Sequence, residues 1–385
     1  VITIKDLDTA EGDLNVTFTG ALTTDSTLIV QALEDADSET LTVNFDGATT
    51  ITGAVEAEND ATNATGALEL KASAAITFTA GIDLSSNATS NAKLILDGTA
   101  AQTVAGAIDG EADNKGEINV TNAGGLVTFS GAVGGNNDLN VVTVGTTTND
   151  SSAKFSAAVT ATTINVQSGE SATEDSSIAF DAAVTGALVL KPGAASSASV
   201  DFVDASAITA LTGAITTTST DGDDSTVNIY DDGGGAPAVQ TFTGAIGTSS
   251  NPIGTLAIGQ ADGDAGSGNF DAAINVTNLT ITADNGGSEA SIGLFDGDVT
   301  ATTITLDDDT NQATLELATA AEKTLAGTID GAAADEGILK ISAASKTVSG
   351  VIGGTFAIDQ IDLDASATIS ASAAAKGITI ADNVV

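Results

Sequence analysis

The side chains able to do chemistry in this sequence are almost all carboxylates and hydroxyls. There are 52 Asp plus Glu against 10 basic residues, all of them Lys, and His, Cys, Met and Trp are absent. Serine triads, thiol nucleophiles, imidazole zinc sites and arginine clamps cannot be assembled from this set. The acidic runs that stand out are Asp221-Gly-Asp223-Asp224, Asp231-Asp232 ahead of three glycines, and Asp262-Gly-Asp264-Ala-Gly-Ser-Gly-Asn-Phe-Asp271. Related runs occur at Asp35-Ala-Asp-Ser-Glu39, Asp307-Asp-Asp309 and Asp359-Gln-Ile-Asp-Leu-Asp364. Such hard oxygens suit calcium, which takes about six to eight of them. Asp221, Asp223, Asp224, Asp231, Asp232, Asp262, Asp264 and Asp271 are therefore the candidate metal ligands, and calcium is the one cofactor expected. The Asp262 run is not an EF-hand, because Ala273 occupies the place of the bidentate Glu.

Paired carboxylates also run glycoside hydrolysis. The Gly-His-Gly and Arg-Ile-Lys motifs of polygalacturonases are missing, as is the Arg base of pectate lyases, and aromatic residues are 3% of the chain. A non-catalytic protein is expected, with a polysaccharide-degrading enzyme as the remote alternative. The formal charge of -42 disfavours nucleic acid and anionic lipid as partners and favours cations. No run of about 18 apolar residues is present, so no transmembrane helix is expected. A chain that begins at Val1 and holds no Met reads as a processed product, and a removed secretory leader fits that.

Carboxylates need a frame, and the frame is a repeat. A short motif recurs: an apolar residue, usually Phe, then any residue, then Gly or Ala, any residue, and Val, Ile or Leu. Its first residues are Phe18, Ile51, Phe78, Val104, Phe129, Phe155, Phe180, Leu211, Phe242, Phe270 and Phe295, with weaker copies from Leu325, Val348 and Ile369. The fourteen starts span 351 residues in 13 steps, a mean of 27, with single steps between 21 and 33. Eight of the 11 Phe hold the first motif position, which predicts an internal ladder of rings. The small third residue predicts a bend where backbones pack closely.

Between copies the residues alternate, as in Leu68-Glu-Leu-Lys71 and Thr303-Ile-Thr-Leu306, the period of short strands. Turn-forming clusters such as Asp97-Gly98 and Asn285-Gly-Gly287 separate them. A unit of 27 residues is too short to fold alone and must stack on its neighbours, whereas immunoglobulin-like sandwiches repeat at about 100 residues. The expected fold is all-β: a single elongated right-handed parallel β-solenoid of about 14 coils filling residues 1–385. Residues 1–17 and 374–385 are expected as terminal strands whose open edges invite end-to-end assembly.

The run Thr241-Phe-Thr-Gly-Ala-Ile-Gly-Thr-Ser-Ser-Asn-Pro-Ile-Gly-Thr-Leu-Ala-Ile258, repeated in form at Val127-Thr-Phe-Ser-Gly-Ala-Val-Gly-Gly-Asn-Asn-Asp-Leu-Asn-Val141, resembles the repeats of β-strand-repeat surface proteins of Gram-negative bacteria. These comprise S-layer-like proteins and passengers of rickettsial outer-membrane-protein-B-type autotransporters. The resemblance implies a secreted, surface-displayed β-helical protein. The C-terminal membrane barrel of an intact autotransporter is not in this sequence. Expected partners are copies of the chain itself, with a glycan or a host or cell surface as the adhesin alternative. Ice binding would demand Thr-x-Thr on successive rungs, and Thr216 to Thr218, Thr280 to Thr282 and Thr303 to Thr305 meet it only locally.

Overall fold

The computed structural model describes residues 1–6, 13–32, 40–59, 67–86, 91–203, 210–219, 224–232, 236–260, 264–283, 289–308, 311–319 and 321–381. Every regular element among them is a β-strand, and every strand pairing is parallel. None is a helix that could cross a membrane. The fold is the expected β-solenoid. Its turns number about 12, slightly fewer than the fourteen motif copies imply. The described residues form two compact units, Val1–Ala198 and Ser199–Val385.

In the first unit the earlier coils contribute to three parallel ladders. One begins Leu14–Phe18, Leu41–Phe45, Ala67–Ala72 and Asn91–Gly98. The second runs through Leu22–Thr24, Thr49–Ile51, Ile76–Phe78, Gln102–Val104 and Leu126–Phe129 to Ser152–Phe155 and Ser176–Phe180. The third holds Ile2–Asp6, Leu28–Ala32, Val55–Asn59, Ile82–Ser86 and Ile108–Gly110. Strands such as Leu41–Phe45 bury every second residue, as a pleated strand with one dry face must. Branched aliphatics and Phe fill the interior, and no large ring other than Phe is needed for so thin a core.

In the second unit, Ser267–Phe270, Ser291–Phe295, Ala313–Leu317, Ile338–Ile341 and Ile358–Leu363 pair in order. The nine-residue strands Ile274–Thr282, Val299–Asp307 and Lys323–Gly331 pass round a corner without breaking. The ladder shifts register there, between Thr300 and Thr303, so the bend is absorbed as a bulge.

The ring ladder exists in two runs and differs from the motif list. Phe129 stacks on Phe155 at 4.4 Å and Phe155 on Phe180 at 5.5 Å. In the second unit Phe242 stacks on Phe270 at 5.2 Å and Phe270 on Phe295 at 4.9 Å. Phe18 does not join the column of Ile51 and Phe78. It pairs with Phe45 and stacks on it at 5.6 Å, because Phe45-Asp-Gly-Ala-Thr49 is the true repeat of Phe18-Thr-Gly-Ala-Leu22. Likewise Leu325 pairs with Val299, the fifth motif residue, and the column continues through Val348 to Ile369. The Phe295 column continues instead through Leu317, Ile341 and Leu363. Two corners of the coil use the same small-residue bend, so the motif alone does not say which corner it marks.

Candidate functional site

Of the candidate ligands, Asp221, Asp223 and Asp262 lie outside the described residues, as do Asp35–Glu39 and Asp309. Asp224 sits half-buried ahead of Ser225–Tyr230, Asp231 and Asp232 follow that strand, and Asp264 precedes Ser267–Phe270. Asp231 points inward and is buried, while Asp232 is exposed. Asp271 is exposed and accepts a hydrogen bond from Asn269 Nδ2 at 3.1 Å. The other acidic runs are engaged by protein donors: Asp308 accepts from the Gly337 backbone at 2.8 Å, Asp359 meets Lys376 at 3.3 Å and Asp362 accepts from Gln360 Nε2 at 2.6 Å. Among the described residues no group of three carboxylates converges as a metal cage would require.

The structure does bring Asp232 and Asp264 close enough to act on Tyr230, the only tyrosine, together with Asp201 and Gln260. Tyr230 ends a strand whose inward residues are Ser225, Val227 and Ile229, so alternation turns its phenol outward on the side of Asn228. Burial raises Asp201 above the usual carboxylate range, and the 2.7 Å hydrogen bond from Asn228 Nδ2 opposes this. The phenol is pushed up to about 12, first by burial and then by the Asp201 charge, with Asp232 and Asp264 adding to it and the hydrogen bond with Gln260 opposing. The chain has no Trp, so phenolate absorbance at high pH reports one group. That titration is expected at about 12 in the folded chain and near 10 in denaturant. The sign follows from linkage: the folded state holds a proton that the unfolded chain has released. Tyr230 therefore stabilises the fold fully below pH ~10, and this contribution disappears as pH rises to about 12. A titration near 10 in both states would contradict the burial assigned to the phenol.

A second acidic feature was not singled out by the runs. Glu56 pairs in register with Asp83, and Asp83 with Asp109, on Val55–Asn59, Ile82–Ser86 and Ile108–Gly110. Each is the residue after the fifth motif position, a spacing signal that could have found the column. Neighbouring strands lie ~4.8 Å apart, and like charges directly opposite destabilise a sheet. Asp109 offsets part of this by accepting from the Asn136 backbone and Asn136 Nδ2, both at 2.9 Å. The column lines a shallow groove of about 400 Å³. On an adjacent ladder the charges alternate instead, Glu69, Lys93 and Glu117, with Lys93 and Glu117 at 3.4 Å.

Hydroxyls form a column too: Thr23, Thr50, Thr77, Thr103 and Thr128 are in register, one residue before the corner, and Lys154 ends the row. None of the three Thr-x-Thr pairs singled out from the sequence belongs to it. A wider groove of about 730 Å³ in the second unit is lined by Asp298, Glu322, Lys323 and the in-register Thr324, Thr347 and Thr368. Asp298 accepts from the Thr324 backbone at 2.8 Å. Comparison with protein-family models, curated proteins and solved structures finds no match.

Proposed function

We propose that this chain is a non-catalytic structural protein of the bacterial outer surface, secreted and self-assembling into an S-layer, filament or sheath, with calcium assisting assembly. The observation that carries the reading is that the coils are joined through parallel strand edges, a contact that a strand of a second copy can also make. Ala375–Ile380 pairs in parallel with Ile358–Leu363, placing Ile378 opposite Ile361 and Ile380 opposite Leu363. Ile361 is fully buried, yet Ile378 and Ile380 are 60% and 59% exposed. Among the described residues the far edge of Ala375–Ile380 meets no strand. A parallel rung from a second copy would cover both isoleucines and satisfy the open backbone. Calcium acts as a counter-ion rather than a caged ligand, offsetting the like charges that Glu56, Asp83 and Asp109 bring into register.

Negative-stain electron microscopy and sedimentation, in calcium and then in chelator, test this. Ordered assemblies are expected in calcium, with smaller ones after chelation. Ile378→Lys combined with Ile380→Lys places charge on the edge and is expected to leave monomers of unchanged melting temperature. An unaltered chain that stays monomeric under both conditions would remove the proposal. The adhesin reading is favoured by a different feature, the groove where hydroxyls of Thr324, Thr347 and Thr368 lie beside Lys323 and Asp298, groups suited to hydrogen-bonding a polyhydroxylated glycan. Glycan binding lost on Thr347→Val would favour it over assembly.

A further inference from the structure

The strand Lys346–Val348 turns its first residue inward, and Lys346 is 1% exposed. A buried ammonium is tolerated when its donors are met. Lys346 Nζ donates to Thr319 O, to Ala321 O at 2.6 Å and to Ala344 O at 3.4 Å. Thr319 and Ala321 belong to the turn one coil back, and Ala344 to the turn of its own coil. An ammonium carries three donors and no acceptor, and here it meets three carbonyls. No carboxylate among the described residues lies within ion-pairing distance of it. Burial lowers its pKa, with Asp296 opposing and Lys323 adding to the fall.

A related arrangement occurs in the first unit with a neutral amide, whose two N–H groups are shared among three carbonyls. Gln102, also 1% exposed, donates through Nε2 to Ala72 O at 2.7 Å, Ala74 O at 3.0 Å and Asp97 O at 3.3 Å. Again two carbonyls, two residues apart, come from the coil before, at the end of Ala67–Ala72 and just past it, and a third comes from near the end of Asn91–Gly98 in its own coil. Gln102-Thr-Val104 and Lys346-Thr-Val348 stand at the same place in the motif. The corner thus gathers carbonyl dipoles that point at one spot, and a side chain two residues ahead of the motif supplies the donors.

We infer that the corner of Thr319, Ala321 and Ala344 is a cation-binding site built from backbone carbonyls. Its resident ligand is the chain's own ammonium, and it accepts a small primary alkylammonium when that side chain is cut back. The open groove lined by Lys323, Thr324 and Thr347 borders Lys346 and gives a small cation its entry.

The test is chemical rescue of Lys346→Ala. Its melting temperature is expected to fall and to be restored in part by methylammonium chloride, while tetramethylammonium chloride, which has no N–H, does nothing. Equal shifts with the two salts, or the same methylammonium shift in the unaltered chain, overturn the inference. Should the alanine variant yield no folded protein, Lys346→Gln keeps two donors and is expected to fold with a lowered melting temperature. The unaltered chain supplies a second readout. Under limiting acetylation followed by mass spectrometry, Lys346 is expected to react at least about tenfold more slowly than Lys376, since a buried amine reacts only through local opening. Equal rates at Lys346 and Lys376, whose side chain is 60% exposed, overturn the assignment without any variant.

Discussion

Phe155→Ala is expected to lower the unfolding free energy of the unit spanning residues 1–198 by about 3–5 kcal/mol, the cost of truncating a fully buried Phe and leaving a cavity. Phe155 is fully buried between Phe129, with ring planes 4° apart, and Phe180, at 28°. Each stacked pair adds roughly 0.5–1.5 kcal/mol beyond burial, and a stacked array loses both interfaces of a rung at once. A rung is one strand thick, so no deeper layer can move in to fill the void. Guanidinium unfolding measures the global loss, and amide exchange should show the greatest loss of protection on the rungs of Phe129 and Phe180. Phe356→Ala is the matched control: that ring is 43% exposed, and its removal should change stability by no more than about 0.5 kcal/mol. Comparable losses in the two variants would mean that the ring column does not hold the coils together.

The solenoid was legible because one signal repeats. A motif returning every 27 residues on average, with alternation between copies, leaves few folds other than a coil stacked on itself. Column membership was less legible. Phe18 and Phe78 begin matching pentapeptides, yet one ends a strand of the first ladder and the other a strand of the second. Both corners need a small residue for the same steric reason, so a local motif cannot distinguish them, and only the pairing of Phe45 with Phe18 resolves it. The acidic column was hidden differently. Glu56, Asp83 and Asp109 are isolated in sequence, whereas attention goes to runs such as Asp221–Asp224. A parallel array brings together residues one coil apart, so the informative neighbours of a carboxylate lie about 27 positions away. Lys346 and Gln102 broke the alternation rule outright. Polar residues are uncommon at inward positions, and these two are tolerated because backbone carbonyls near the corner accept from their nitrogens.

The third motif position makes the steric argument sharpest. In Gly106→Ala the new Cβ would lie 1.7 Å from the Ala80 carbonyl oxygen and 2.1 Å from its carbon, well inside van der Waals contact. The obstacle is the backbone of the coil below, so no side chain can rotate away, and relief requires the two rungs to part. The expected loss is about 3 kcal/mol, at the upper end of the usual cost of overpacking, and Gly106→Val should cost more because its branches add to the same overlap. Gly20 holds the same motif position in the first copy but has nothing within 4 Å of its would-be Cβ. There Gly20→Ala should be neutral or should stabilise by about 0.4–1 kcal/mol, through the smaller conformational freedom of the unfolded chain. The two alanine substitutions are chemically identical but sit at different corners, Gly20 after Leu14–Phe18 and Gly106 after Gln102–Val104, and only Gly106 has the backbone of a preceding coil against its Cβ, so thermal melts of the pair report that contact. A Gly106→Ala chain that melts with Gly20→Ala would show that the coils are not in close backbone contact at this corner.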